Sequence, residues 1–196
     1  MFTTILLPSD FSGCSAEAAR AARRLAECFG SRLIVLHVLD EPAALDPMFR
    51  GEVPLELLRG RMEQYAREGM EAFLKAHFDG LPGVETRMGS GVPYREIVRE
   101  ARECGAGLIV IGTHGRTGVE RVIFGSTAEK VVRMAPCPVL SVREGGKDTY
   151  RAFTAERDGS SASEIVCTCN ATPTMPCSSV SWISRPRRAR SASTAE

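Results

Sequence analysis

Gly112-Thr113-His114-Gly115, followed after nine residues by Gly125-Ser126-Thr127, is the segment of this sequence best equipped for chemistry. Glycines let a backbone approach a ligand with no Cβ in the way. A Gly-Ser-Thr step opening a helix offers N–H groups with no partner inside the helix, together with two hydroxyls. That donor set suits an anion such as a phosphate. Far upstream, Pro8-Ser9-Asp10 closes the first apolar run and leaves a carboxylate at its end. Asp10 has two readings at this point, the start of the following helix or a ligand contact. The glycine-rich loop points to a bound nucleotide.

The elements that must hold these residues follow from apolar spacing. Thr3–Leu7 reads as a strand. Ala18, Ala22, Leu25, Ala26 and Phe29 repeat at helical spacing, and Gly30 supplies a stop. Leu33–Val38 is apolar except for His37, as in a strand buried on both faces, and His37 reads as a satisfied core histidine. After a proline-bearing loop to Pro54, the residues Leu58, Met62, Tyr65, Gly69 and Phe73 mark one face of a second helix. Val84–Met88 is a third strand, turned by Gly89-Ser90-Gly91. Pro93 fits the first turn of a helix lined by Ile97, Val98, Ala101 and Cys104, which Gly105 ends. Leu108–Ile111 is the fourth strand, and Ser126-x-x-Glu129 fits a capping box with Ser126 as N-cap. Val139–Val142 is the fifth strand. Strands alternating with helices in this way predict a doubly wound, five-stranded parallel α/β sheet. Ligands of such sheets bind beyond the carboxyl ends of the strands, where the strand order switches. Asp10 and the Gly112 loop both lie at such ends.

Composition sets the bounds. The 196 residues are 43% hydrophobic and 25% charged with a net charge of +1, which gives no reason to expect nucleic acid or a membrane as partner. No apolar run approaches the ~20 residues of a membrane helix, and the first residues read as a strand rather than a leader. Of the seven cysteines, Cys14, Cys28, Cys104 and Cys137 stand singly, which fits reduced thiols in a cytoplasm. From Glu144 onward, Ser, Thr, Ala, Arg and Pro dominate, and residues 144–196 read as a disordered tail after a domain of residues 1–143.

Ile5-Leu-Leu-Pro-Ser-Asp10, Leu36-His-Val-Leu39, Gly112-Thr-His-Gly115-x9-Gly125-Ser126-Thr127 and Ala135-Pro-Cys-Pro-Val-Leu-Ser-Val142 occur in an order that resembles the universal stress protein family over residues 1–143. The resemblance implies a Rossmann-like fold of the adenine nucleotide alpha-hydrolase-like kind, and the glycine pattern looks like that of the ATP-binding members. It would set Asp10, with Pro8 and Ser9, near the ribose and Val38 against adenine. Gly112, His114 and Gly115 would pass close to ribose and phosphates, and Gly125, Ser126 and Thr127 would hold phosphate oxygens. Arg116 would reach a terminal phosphate on grounds of charge and position alone. Family members dimerise through the last strand, so the resemblance together with an exposed edge at Val139–Val142 predicts a homodimer, an edge capped by the tail being the alternative.

The ligand expected is ATP, with or without magnesium. The sequence has no Gly-x4-Gly-Lys-[Ser/Thr] loop, and Asp10, His114 and Arg116 form no evident catalytic set, so no catalytic residue and no protein metal site is assigned. A nucleotide-dependent regulatory module is the favoured reading. A slow ATPase or nucleotide-transferring enzyme, and a nucleotide-free structural dimer, are the alternatives. In the tail, Ile165-Val-Cys-Thr-Cys-Asn170 is similar to the opening of bacterioferritin-associated-ferredoxin-like domains. Cys167, Cys169 and Cys177 supply three of the four thiolates a cluster needs, so the segment reads as a truncated relic, with a metal-binding tail that takes a fourth ligand from outside as the alternative.

Overall fold

In the computed structural model, which describes residues 2–40, 55–113, 125–143, 149–155, 162–168 and 183–185, the apolar runs are strands and the periodic segments between them are helices. The chain runs β1 (Thr4–Pro8), α1 (Gly13–Phe29), β2 (Arg32–Leu39), α2 (Leu55–Phe78), β3 (Val84–Ser90) and α3 (Pro93–Glu103). It continues through β4 (Leu108–Gly112), α4 (Ser126–Met134), β5 (Val139–Val142), β6 (Thr149–Ala155), β7 (Ala162–Thr168) and β8 (Ile183–Arg185).

The sheet order is β3-β2-β1-β4-β5-β6-β7-β8. The first five strands are mutually parallel, with β1 paired to β2 on one side and to β4 on the other. Alternate residues of each strand feed opposite cores. Ile5 and Leu7 join Leu33, Val35, Met70 and Phe73 beneath α1 and α2. Leu6 and Ile34 join Ile97, Ile109, Ala128 and Val131 beneath α3 and α4. A central strand covered on both faces must be apolar at every position, which is why β1 is buried throughout.

Local signals act as expected at several boundaries. Gly30 caps α1 in the left-handed region at φ 61°, and Pro93 occupies the first turn of α3. Cys14, Cys28, Cys104 and Cys137 are thiols. No helix among the described residues is long and apolar enough to cross a membrane.

The C-terminal expectations require correction. Val139–Val142 is not a sheet edge, because β6 pairs with it antiparallel, placing Leu140 opposite Ala152 and Ser141 opposite Arg151. Strands β7 and β8 extend the sheet further by antiparallel pairing. The physical reason lies in β5, whose outer row of backbone donors and acceptors suits any nearby extended segment. Thr149–Ala155, with Tyr150, Phe153 and two threonines, has the β propensity to use it. Of the tail cysteines, Cys167 falls in β7, while Cys169 and Cys177 lie outside the described residues.

Candidate functional site

The strand order reverses direction at β1 and β4, and a crevice of that kind opens beyond their carboxyl ends. A cavity of about 610 Å³ occupies it, within the range of about 300–1,000 Å³ that ordinary ligand sites span. Pro8, Ser9 and Asp10 form its side after β1, and Val38 its side at the end of β2. Gly112 ends β4 and Thr113 follows it, and Gly125, Ser126 and Thr127 bring in the start of α4. Residues separated by more than a hundred positions in sequence thus share one cavity. His114, Gly115 and Arg116 lie outside the described residues.

Asp10 combines the two readings left open by sequence. Its Oδ1 accepts hydrogen bonds from the Ser12 amide at 3.1 Å, the Ser12 hydroxyl at 2.6 Å and the Ser15 hydroxyl at 2.6 Å. Ser12 is itself the N-cap of α1 and accepts from the Ser15 amide. Asp10 therefore braces the helix start while its residue lines the cavity.

The opening of α4 differs from the expected capping box. Its N-cap is Gly125, extended at φ −67° and ψ 150°, and among the described residues no side chain caps the helix. Ser126 is the first helical residue, displaced one position from the predicted cap. An N-terminal turn without a side-chain cap keeps its amides directed outward, and the macrodipole favours negative charge there. The Gly125 amide donates to the Thr113 carbonyl at 2.7 Å, which fixes the helix start against the end of β4.

Gly112 lines the cavity and also meets a close protein neighbour. A Cβ at that position would stand 3.1 Å from the carbonyl carbon, the oxygen and the Sγ of Cys14 on α1. The Cys14 thiol in turn donates to the Val142 carbonyl at 3.3 Å. Helix α1 thus packs directly on the floor of the crevice. His37 is the satisfied core histidine expected of it: it is buried, and Nδ1 lies 2.8 Å from the Ser9 carbonyl.

Sequence reasoning missed the wall contributed by α2. Arg61, Met62, Tyr65 and Ala66 line the cavity at helical spacing. Of the face marked from the sequence, Phe73 is buried but Tyr65 is 60% exposed, and Ala66 and Met70 complete the buried stripe. Arg61 is the cavity's one lysine or arginine among the described residues. In sequence it looks like an ordinary charge on a solvated face. Among the described residues no three of His, Cys, Asp or Glu gather closely enough to hold a metal ion.

Comparison with known proteins gives a consistent outcome. Residues 1–143 match the model of the Universal stress protein family. A universal stress protein of Methanocaldococcus jannaschii is 34% identical over 148 residues, covering 76% of this chain and 86% of the relative. One from Thermus aquaticus is 38% identical over 144 residues, covering 73% of this chain and 100% of the relative. The solved structure of the universal stress protein UspA from Lactobacillus plantarum is similar with a TM-score of 0.62 at 28% identity, covering 72% of this chain and 97% of that one.

Proposed function

The chain belongs to the universal stress protein family, and from that premise we propose that it binds ATP in the β1/β4 crevice and acts as a nucleotide-dependent regulatory module of a cytoplasmic stress response. The observation that carries this reading is the convergence on one cavity of an α4 N-terminus without a side-chain cap and a carboxylate at the end of β1. The first supplies donors for phosphate oxygens and the second an acceptor for ribose hydroxyls. Val38 offers main-chain groups to the base from the end of β2. Binding, rather than rapid turnover, is the expected outcome. Asp10 Oδ1 is already the acceptor of three hydrogen bonds, an arrangement that holds a carboxylate in place rather than leaving it to take a proton.

Mass spectrometry of the small molecules released on denaturing the purified chain, together with calorimetric titration with ATP, tests this. An adenine nucleotide released from the chain, or a saturable ATP isotherm, supports it. No release and no heat of binding at millimolar ATP overturns it. Turnover of ATP at ~1–10³ s⁻¹ would instead assign an enzyme.

Self-association is the second part of the proposal, and β6 controls it. A second copy can pair with Val139–Val142 only where β6 has left that strand, since both use the same backbone groups. A chain ending at Arg143 is therefore expected to form a dimer at concentrations where the full chain is chiefly monomeric. Light scattering after size exclusion measures this directly, and Ala152→Pro, which removes a donor from β6, should shift the full chain in the same direction. Identical masses for all three proteins would exclude the competition.

A further inference from the structure

Phe11 is the one non-glycine residue with positive φ among the described residues, at 63°. A bulky side chain in the left-handed region is strained and persists only where its surroundings enforce it. Those surroundings are specific. The Phe11 ring stacks on the His37 imidazole with centroids 4.3 Å apart and planes 17° apart, and it packs against Phe73 at 5.7 Å. Its amide donates to the Ser9 hydroxyl at 3.1 Å. Against the ring lies Gly69 of α2, where a Cβ would fall 2.8 Å from Cε2 and 2.9 Å from Cδ2 of Phe11. Glycine in mid-helix is less favourable than alanine, and here its missing side chain is the notch that admits the ring.

Phe11 follows Asp10 directly, and Gly69 lies one turn beyond Tyr65 and Ala66 of the cavity wall. We propose that Phe11, stacked on His37 and seated against Gly69, is a positioning residue that sets both the stance of Asp10 and the distance of the α2 wall across the nucleotide cavity. The inference rests on the nucleotide reading above and adds the part that determines the width of the site. The ring touches β2 through His37 and α2 through Gly69 and Phe73, so it joins the two elements that flank the cavity to the loop that carries the carboxylate. A side chain at position 69 must displace the ring, and with it the turn that presents Asp10.

The test uses the full chain and ATP in isothermal titration, with thermal unfolding followed separately for each variant. Gly69→Ala is expected to weaken ATP binding at least tenfold while unfolding remains cooperative, and Phe11→Ala at least fivefold. The double variant should bind no worse than Phe11→Ala alone, because the added methyl has no ring left to displace. A merely structural role would lower the unfolding midpoints and leave the Kd of the folded protein unchanged. Binding within twofold of the parent in a folded Gly69→Ala chain overturns the proposal. Should that variant not fold, unchanged binding by Phe11→Ala does the same. Absence of ATP binding by the parent chain is a different result, because it removes the nucleotide reading itself and this inference with it.

Discussion

Gly112→Val is expected to abolish ATP binding and to lower the unfolding midpoint by several degrees. The reason is steric. Three atoms of Cys14, two of them backbone, already stand 3.1 Å from where a Cβ would go, and a branched side chain needs more room than that single atom. Neither neighbour can yield easily, since Cys14 lies in the first turn of α1 and its thiol is tied to the carbonyl of Val142. Overpacking of this kind costs about 1–3 kcal/mol, and about 3 °C per kcal/mol is usual for a chain of this size. The effect on binding follows from position. To relieve the contact, either α1 or the end of β4 must move, and both meet at the crevice through Asp10 and Thr113. Calorimetry with ATP beside thermal unfolding reads the two effects independently. A folded Gly112→Val chain with unchanged affinity would show that the β4 end lies away from the ligand. Gly112→Ala should show both effects in milder form, since its Cβ requires shifts of only a few tenths of an ångström.

The same glycine illustrates what the sequence reveals of this protein. Its presence at the end of a strand signalled a close approach, and the first turn of α1 makes one at the edge of the cavity. A sequence reports that space is short without reporting what fills it. The doubly wound sheet was legible because strands covered on both faces carry unbroken apolar runs, as β1 and β2 do. Caps were legible where chemistry is singular, as with the left-handed Gly30. Ser126-x-x-Glu129 misled by one position because the same residues fit the first turn of the helix as well as its cap. Arg61 and Tyr65 escaped because a charge and an aromatic on a helix have no mark of facing a cavity rather than water. Strand β6 escaped because its place is fixed by an offered edge, a property of β5 in three dimensions and not of residues 149–155.

Asp10→Ala is the other substitution with a large expected effect, and its two consequences are separable. Stability should fall by on the order of 2 kcal/mol, the scale of losing charge-assisted hydrogen bonds at a helix start. The Ser12 amide and the hydroxyls of Ser12 and Ser15 all lose the same acceptor. Asp10→Asn retains an oxygen in that place, so its stability should stay close to the parent's, which isolates the role of the charge. Binding is then compared between ATP and its 2′,3′-dideoxy analogue. If the carboxylate accepts from the ribose hydroxyls, the parent chain prefers ATP by about tenfold or more, as one charge-assisted hydrogen bond implies. Asp10→Asn should reduce that preference and Asp10→Ala should eliminate it, because neither presents an ionised acceptor to the sugar. The comparison between ligands cancels any general loosening of the site, which weakens both alike. Equal preference in the parent and in Asp10→Ala would take Asp10 out of the ligand site and leave it the brace of α1 alone.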